Sequence, residues 1–264
     1  MRSFRGGRKI SKSIGFIGTG AIAASMVRGL TAEGHIIWVS PRNAEMAETL
    51  AQLPDVEVKS NEEIAAEADI VVLCLLADVA RDVIPKLNFR AETKIISVMV
   101  DYPLAKLERT CVPATQFAIT IPLPFIETGG CPLPVYPSDQ ADLVAALFGD
   151  NNMIIPVQSE NGLNAHFAAT ALCSTTLAQV QAAVGWLAKH SGDAKAAEYY
   201  IASLLSAQFS TLPSGGVSAA LSGLSTEGGL NSTLRSHMSS SEAVLVEGLD
   251  AFEERLGLLS SKTS

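Results

Sequence analysis

Gly18 and Gly20, with Thr19 between them and Ala21, Ile22 and Ala23 behind, form a glycine turn between an apolar run at 13–17 and a helix-patterned run reaching about residue 33. The chemistry open to such a turn is anion binding. Two glycines let the backbone fold tightly and approach a pyrophosphate, and a small residue at Ala23 lets the helix pack closely on a sheet. The first N–H groups of that helix then face the phosphates. Gly34 is placed to stop the helix. A second apolar run at 36–39 follows directly, completing the strand, turn, helix and strand that a dinucleotide-binding fingerprint requires.

The tip of the second run reports on the kind of dinucleotide. An NAD site usually places an Asp or Glu about 20 residues past the fingerprint to hold the ribose 2'-hydroxyl. Here the run ends in Ser40-Pro41-Arg42-Asn43. A hydroxyl, a guanidinium and an amide suit a 2'-phosphate, which an Arg can grip through two parallel hydrogen bonds. The expected cofactor is therefore NADP(H), with Ser40, Arg42 and Asn43 at the 2'-phosphate. Asn43 is also set to cap a helix at 45–52.

These residues must be positioned by a sheet. Strand runs at 56–58, 69–76, 94–100, 116–121 and 153–157 alternate with helical runs at 61–68, 78–87, from Pro103, and at 138–148. The almost unbroken apolar stretch at 69–76 is that of a central parallel strand, and Leu75 and Leu76 at its carboxyl end are expected to border the cofactor. Asn61 is read as a helix cap, Pro103 as a first helical residue, and the Pro/Gly-rich stretch after 121 as irregular. The alternation predicts a mostly parallel, doubly wound α/β Rossmann domain over 13–158. Beyond it, Ala-rich helical runs at 164–190, 194–212 and 232–256, joined at 213–216 and 227–229, predict an all-α domain over 159–264. The first run is apolar enough to suggest a membrane span, but Asn164, His166, Gln179 and Gln181 favour a bundle helix. So much apolar helix also predicts packing against a second subunit, as a homodimer or a multiple of it.

A chain of 264 residues with 48% apolar content can build two cores. Its net charge of -8 argues against a nucleic-acid partner. Cys74, Cys111, Cys131 and Cys173 lie far apart with no Cys/His cluster, which offers no metal site and fits reduced thiols in a cytoplasmic setting. Arg2, Arg5, Arg8 and Lys9 ahead of an apolar run imitate a signal peptide. Cleavage there would remove the first strand and the glycine turn, so residues 1–12 are read as a basic tail.

The sequence from Ile14 through Ala23, with Val39-Ser40-Pro41-Arg42-Asn43 behind it, resembles pyrroline-5-carboxylate reductases, and the resemblance runs to about Leu256. Pro213-Ser214-Gly215-Gly216-Val217-Ser218 is similar to that family's Ser-Pro-Gly-Gly-Thr-Thr loop, and Glu227-Gly228-Gly229-Leu230 to its Glu-Gly-Gly-Phe turn. There are departures. The Asn of the family's Met-Pro-Asn-Thr-Pro stretch is replaced by Leu123, and its Ser-Gly-Ser-Gly-Pro-Ala segment becomes Cys173-Ser174-Thr175-Thr176-Leu177-Ala178. The resemblance implies reduction of a cyclic imine acid by NAD(P)H and a helical domain that interlocks into dimers.

Reducing a protonated C=N bond asks mainly for orientation of the carbon against the nicotinamide and a grip on the carboxylate. Ser214, Gly215 and Gly216 ahead of a helix can offer backbone N–H groups to a carboxylate. Ser218, matching the second Thr of the family loop, can hydrogen-bond the imine nitrogen. Ser174, Thr175, Thr176 and His166 lie on the first long helix, with Thr175 and Thr176 the further catalytic candidates; His35 and His237 rank lower. No Lys or Arg occurs between Arg109 and Lys189, so the lysine that β-hydroxyacid dehydrogenases use as a proton donor is missing, which favours C=N over C=O reduction. A reductase of another imine or of a carbonyl, and an NADP-binding protein without catalysis, remain the alternatives.

Overall fold

The computed structural model describes residues 12–31, 33–212 and 216–258. Among them, eight strands form one sheet in the order β3-β2-β1-β4-β5-β6-β7-β8. They are β1 (Ser13–Ile17), β2 (Ile36–Val39), β3 (Val56–Val58), β4 (Ile70–Leu73), β5 (Lys94–Ser97), β6 (Gln116–Thr120), β7 (Pro132–Tyr136) and β8 (Met153–Pro156). The first six are mutually parallel, β7 pairs antiparallel to β6, and β8 is parallel to β7. The order reverses at β1 and β4, which register Ile14 on Ile70 and Ile17 on Leu73.

Strand alternation sends side chains to two separate cores. Ile14, Phe16, Ile37, Val39, Ile70, Val72 and Ile96 pack with Met26, Val27 and Leu30 of α1 (Ala21–Leu30) and with Leu143, Val144 and Leu147 of α6 (Ala141–Phe148). Ile17, Val71, Leu73, Ile95 and Phe117 pack on the other face with α3 (Asn61–Glu67), α4 (Ala77–Val83) and α5 (Leu104–Thr110). Each large side chain fully buried in this way contributes about 1.5–3 kcal/mol. Gly15 lies where α3 crosses the sheet, and a Cβ there would collide with Ile64.

The α/β half has the predicted architecture, with local differences. β4 is shorter than the apolar run implied, because Cys74, Leu75 and Leu76 leave the sheet to form the lip before α4. α1 stops at Leu30, where Thr31 turns out of the helix and its hydroxyl donates to Arg28 O at 2.7 Å. Ser60, rather than Asn61, caps α3 through a capping box with Glu63, whose carboxylate accepts from Ser60 N–H at 2.9 Å. The Ser60 hydroxyl, which also donates to this carboxylate, and the Ser60 N–H together hold the Glu63 carboxyl below its ordinary range. Pro103 is the N-cap of α5 instead of its first residue. The stretch expected to be irregular contains β7, in which Leu133 and Val135 are buried. Its prolines fit because Met153 of β8 and Val157, just past its end, donate their N–H groups to the carbonyls of Cys131 and Val135, so no proline N–H is needed on that side.

The chain divides into two compact units, one ending at Phe167 and the other beginning at Ala168. The first predicted long helix begins earlier and is broken near Ala171 into α7 (Glu160–Thr170) and α8 (Leu172–Ser191). In the second unit, α8 turns at Gly192, whose φ is 78°, and packs along α9 (Ala194–Ser210), which Asp193 caps through Ala196 N–H at 2.9 Å. α10 (Val217–Gly223), α11 (Leu230–His237) and α12 (Ser241–Asp250) follow. The predicted third helix is thus two, interrupted where the Ser241 hydroxyl donates to Met238 O at 2.7 Å. α8 buries none of its residues and α9 only Ala197.

Candidate functional site: a glycine turn at the sheet switch point

The carboxyl ends of β1 and β4 lie side by side, with Cys74 N–H donating to Ile17 O at 2.8 Å, and the chain leaves them toward opposite edges of the sheet. Ligands of open α/β sheets bind in the crevice at this point. Gly18 enters it with φ at 98°, and a Cβ there would collide with the Cys74 carbonyl and stand 2.9 Å from Leu75 Cδ2. Gly20 is different. Nothing lies within 4 Å of where its Cβ would be.

Gly20 is the N-cap of α1, without a side-chain cap and with no acidic residue in the first turn. The helix's first bond runs from Ala24 N–H to Gly20 O at 2.9 Å, so the N–H groups of Ala21, Ile22 and Ala23 are left at the mouth. A positive helix end with open space before it accepts phosphate. Ala23 is buried against the sheet, as the fingerprint requires.

The remaining sequence candidates divide. Asn43 accepts from Met46 N–H at 3.3 Å and caps α2 (Ala44–Leu50), beginning that helix at Ala44. Arg42 is exposed beside it and makes no ion pair among the described residues. Ser40 does not face outward. It is 0% exposed, its hydroxyl accepts from Gly18 N–H at 2.9 Å, and its carbonyl accepts from the Thr19 hydroxyl at 2.5 Å. Ser40 and Thr19 therefore shape the turn, and the Ser40 hydroxyl expected at the 2'-phosphate is engaged by Gly18 N–H. Leu75 is buried against Gly18, while Leu76 is 78% exposed at the start of α4. Open space at Gly20, the bare helix end and the unpaired Arg42 fit the phosphates of a dinucleotide.

Leu123, which stands where the resembled family has Asn, is half-buried after β6 on the same core as Ile22, Cys74 and Val98. Burial pushes the Cys74 thiol up to about 12 and the Cys111 thiol up to about 11, so both stay protonated near neutral pH and neither is a nucleophile.

In the second unit, Ser174, Thr175 and Thr176 of α8 line a cavity of about 630 Å³ with Glu242, Leu245 and Phe252. The Ser174 and Thr175 hydroxyls also donate back to Ala171 O and Leu172 O at 3.1 and 3.0 Å. Ser218 lies exposed in the first turn of α10, outside that lining, and Gly216 is the buried N-cap of α10. Ser214 and Gly215 fall outside the described residues. In the first unit, His166 Nδ1 sits 2.7 Å from Gly162 O; in the second, His237 Nδ1 sits 2.8 Å from Thr233 O. Each is engaged with its own helix. His35 is buried.

The sheet, its switch point and the glycine turn define a Rossmann-type nucleotide fold. Residues 13–101 match the family described as NADP oxidoreductase, coenzyme F420-dependent. The chain has the fold of pyrroline-5-carboxylate reductases: the Streptococcus pyogenes enzyme superposes with a TM-score of 0.80 at 18% identity, over 94% of this chain and 99% of that one. The Plasmodium falciparum enzyme, whose structure has NADP bound, gives 0.79 at 14% identity over 93% and 97%. An imine reductase from a Pseudomonas species gives 0.57 at 18% over 93% and 92%. No curated protein matches the sequence.

Proposed function

We propose that this chain is an NADPH-dependent reductase of a cyclic imine bearing a carboxylate, of the pyrroline-5-carboxylate reductase type. The observation that carries the reading is the glycine turn at the switch point, with the bare end of α1 behind it and Arg42 exposed at the tip of β2. The N–H groups of Ala21, Ile22 and Ala23 would hold NADP(H) at its pyrophosphate, and Arg42 and Asn43 would hold it at its 2'-phosphate. When bound, it supplies a hydride to the imine carbon.

The chain's own residues orient the substrate. Backbone N–H groups of Ser214, Gly215 and Gly216 hold the carboxylate, and Ser218 hydrogen-bonds the nitrogen, with Thr175 and Thr176 as further hydroxyls. The nitrogen arrives protonated, so hydride addition leaves a neutral amine without a protein proton donor. This agrees with the absence of Lys and Arg between Arg109 and Lys189. Leu123 favours an imine with a less polar body than pyrroline-5-carboxylate as the second substrate to try.

The test is NADPH oxidation with pyrroline-5-carboxylate, a bulkier apolar cyclic imine, and a keto acid. Ser218→Ala is expected to lower turnover by roughly tenfold, the scale of one hydrogen bond to a charged group, with NADPH affinity unchanged. Oxidation with the keto acid alone would replace this reading with carbonyl reduction; no oxidation with any of the three would leave a nucleotide-binding protein.

A second copy of the chain covers the helical unit in this reading. Trp186, Tyr199 and Leu230 are 65%, 77% and 91% exposed, and Phe209, Leu234 and Val244 are exposed with them. Burying such faces drives association. Light scattering at micromolar concentration is expected to give a dimer or a multiple of it; a stable monomer would refute this.

A further inference from the structure

We infer that Thr19 and Ser40 are positioning residues, a buried pair of hydroxyls that sets the glycine turn for a dinucleotide and fastens it to the tip of β2. The inference rests on the nucleotide part of the proposed function and is independent of the substrate.

The hydrogen bonds close on themselves. Gly18 N–H donates to Ser40 Oγ at 2.9 Å, the Thr19 hydroxyl donates to Ser40 O at 2.5 Å, and the two hydroxyl oxygens lie 3.2 Å apart. With the Thr19 proton on the Ser40 carbonyl, the Ser40 proton is left for Thr19 Oγ1, so each hydroxyl both donates and accepts. Ser40 N–H donates to Phe16 O at 3.0 Å, which anchors the pair to β1. Thr19 is 3% exposed and Ser40 0%, so water cannot replace a bond that is lost.

Two consequences follow for a bound nucleotide. Gly18 N–H points inward and is already used, so phosphate contact falls to the N–H groups around Gly20 and the start of α1. The pair also spans the two ends of the site, because Ser40 is two residues before Arg42 and its hydroxyl holds Gly18. Arg42 selects between nucleotides. Ser40 and Thr19 govern how well either one is held.

The test uses calorimetric titration of the full chain with NADPH and with NADH, together with amide hydrogen exchange at Gly18 in the nucleotide-free protein. Ser40→Ala is expected to weaken both nucleotides by the same factor, roughly tenfold, leaving their ratio as in the wild type, and to speed Gly18 exchange by a similar factor. Thr19→Val is expected to act in the same direction, while Thr19→Ser, which keeps the hydroxyl, stays near wild type; this pair decides the matter if Ser40→Ala does not fold. A loss confined to NADPH would overturn the inference by making Ser40 a direct 2'-phosphate contact. Unchanged affinities for both nucleotides in Ser40→Ala and Thr19→Val would overturn it by leaving the pair a purely internal bond. If the wild-type chain binds neither nucleotide, the functional reading fails and the inference with it, whatever the Gly18 amide shows.

Discussion

Gly18→Val is expected to lose nucleotide binding and to melt well below the wild type, whereas Gly20→Val is expected to lose nucleotide binding and melt almost normally. At Gly18 the obstacle lies within the protein. A side chain there would meet the Cys74 carbonyl, and φ at 98° is a conformation that L-residues rarely adopt. The backbone term alone costs about 1–2 kcal/mol. Adding the collision, a total of about 3 kcal/mol would lower the melting temperature by roughly 6–12 °C for a domain of this size. At Gly20 φ is -92° and ψ is -174°, ordinary extended geometry, and the space around the missing Cβ is open. Valine is a poor N-cap, which costs about 1 kcal/mol. Its side chain would stand before the N–H groups of α1 and reduce NADPH affinity by roughly a hundredfold or more, equivalent to about 2.7 kcal/mol. Calorimetric melting and nucleotide titration of the two variants check this. Equal melting temperatures would refute the internal collision, and wild-type affinity in Gly20→Val would remove the pyrophosphate from this turn.

Arg42→Ala is expected to remove most of the preference for NADPH over NADH. A charge-assisted contact to a phosphate contributes about 1.5–3 kcal/mol, or roughly ten- to a hundredfold in affinity. Arg42 is exposed, so the lower part of that range applies and the effect shrinks with added salt. NADH lacks the 2'-phosphate, and its affinity is expected to stay within about twofold of wild type. Titration of both nucleotides at two salt concentrations measures the ratio. A wild-type protein that binds the two equally, or an Arg42→Ala variant with an unchanged ratio, would end the assignment of Arg42.

Much of the nucleotide half was legible because its signals are local. Gly18 and Gly20 between two apolar runs announce the turn, Asn43 two residues short of Glu45 announces a cap, and buried parallel strands read as unbroken apolar runs such as 70–73. What escaped depends on residues distant in the chain. Ser40 reads as a phosphate ligand because it ends a strand, yet its hydroxyl is held by Gly18, 22 residues away. β7 is hidden by Pro132 and Pro134, which argue against a strand until β8 supplies N–H groups to the neighbouring carbonyls. The break near Ala171 carries no Gly or Pro to announce it, and the break after His237 is marked only by serines, whose hydroxyls compete for backbone carbonyls in any helix.

The margins of the sheet bear on how copies of this chain can meet. An open sheet offers a row of unsatisfied backbone groups at each end, a template onto which a neighbour's strand can add. On one side the outermost strand, β3, is three residues long and carries Glu57. On the other, β8 has four residues and ends in Pro156, which has no N–H to give to an incoming chain. Both margins are too short and too poorly furnished to extend the ladder from one molecule to the next. Growth of ribbons or fibrils through the nucleotide-binding unit is thereby discouraged at the two margins of its sheet.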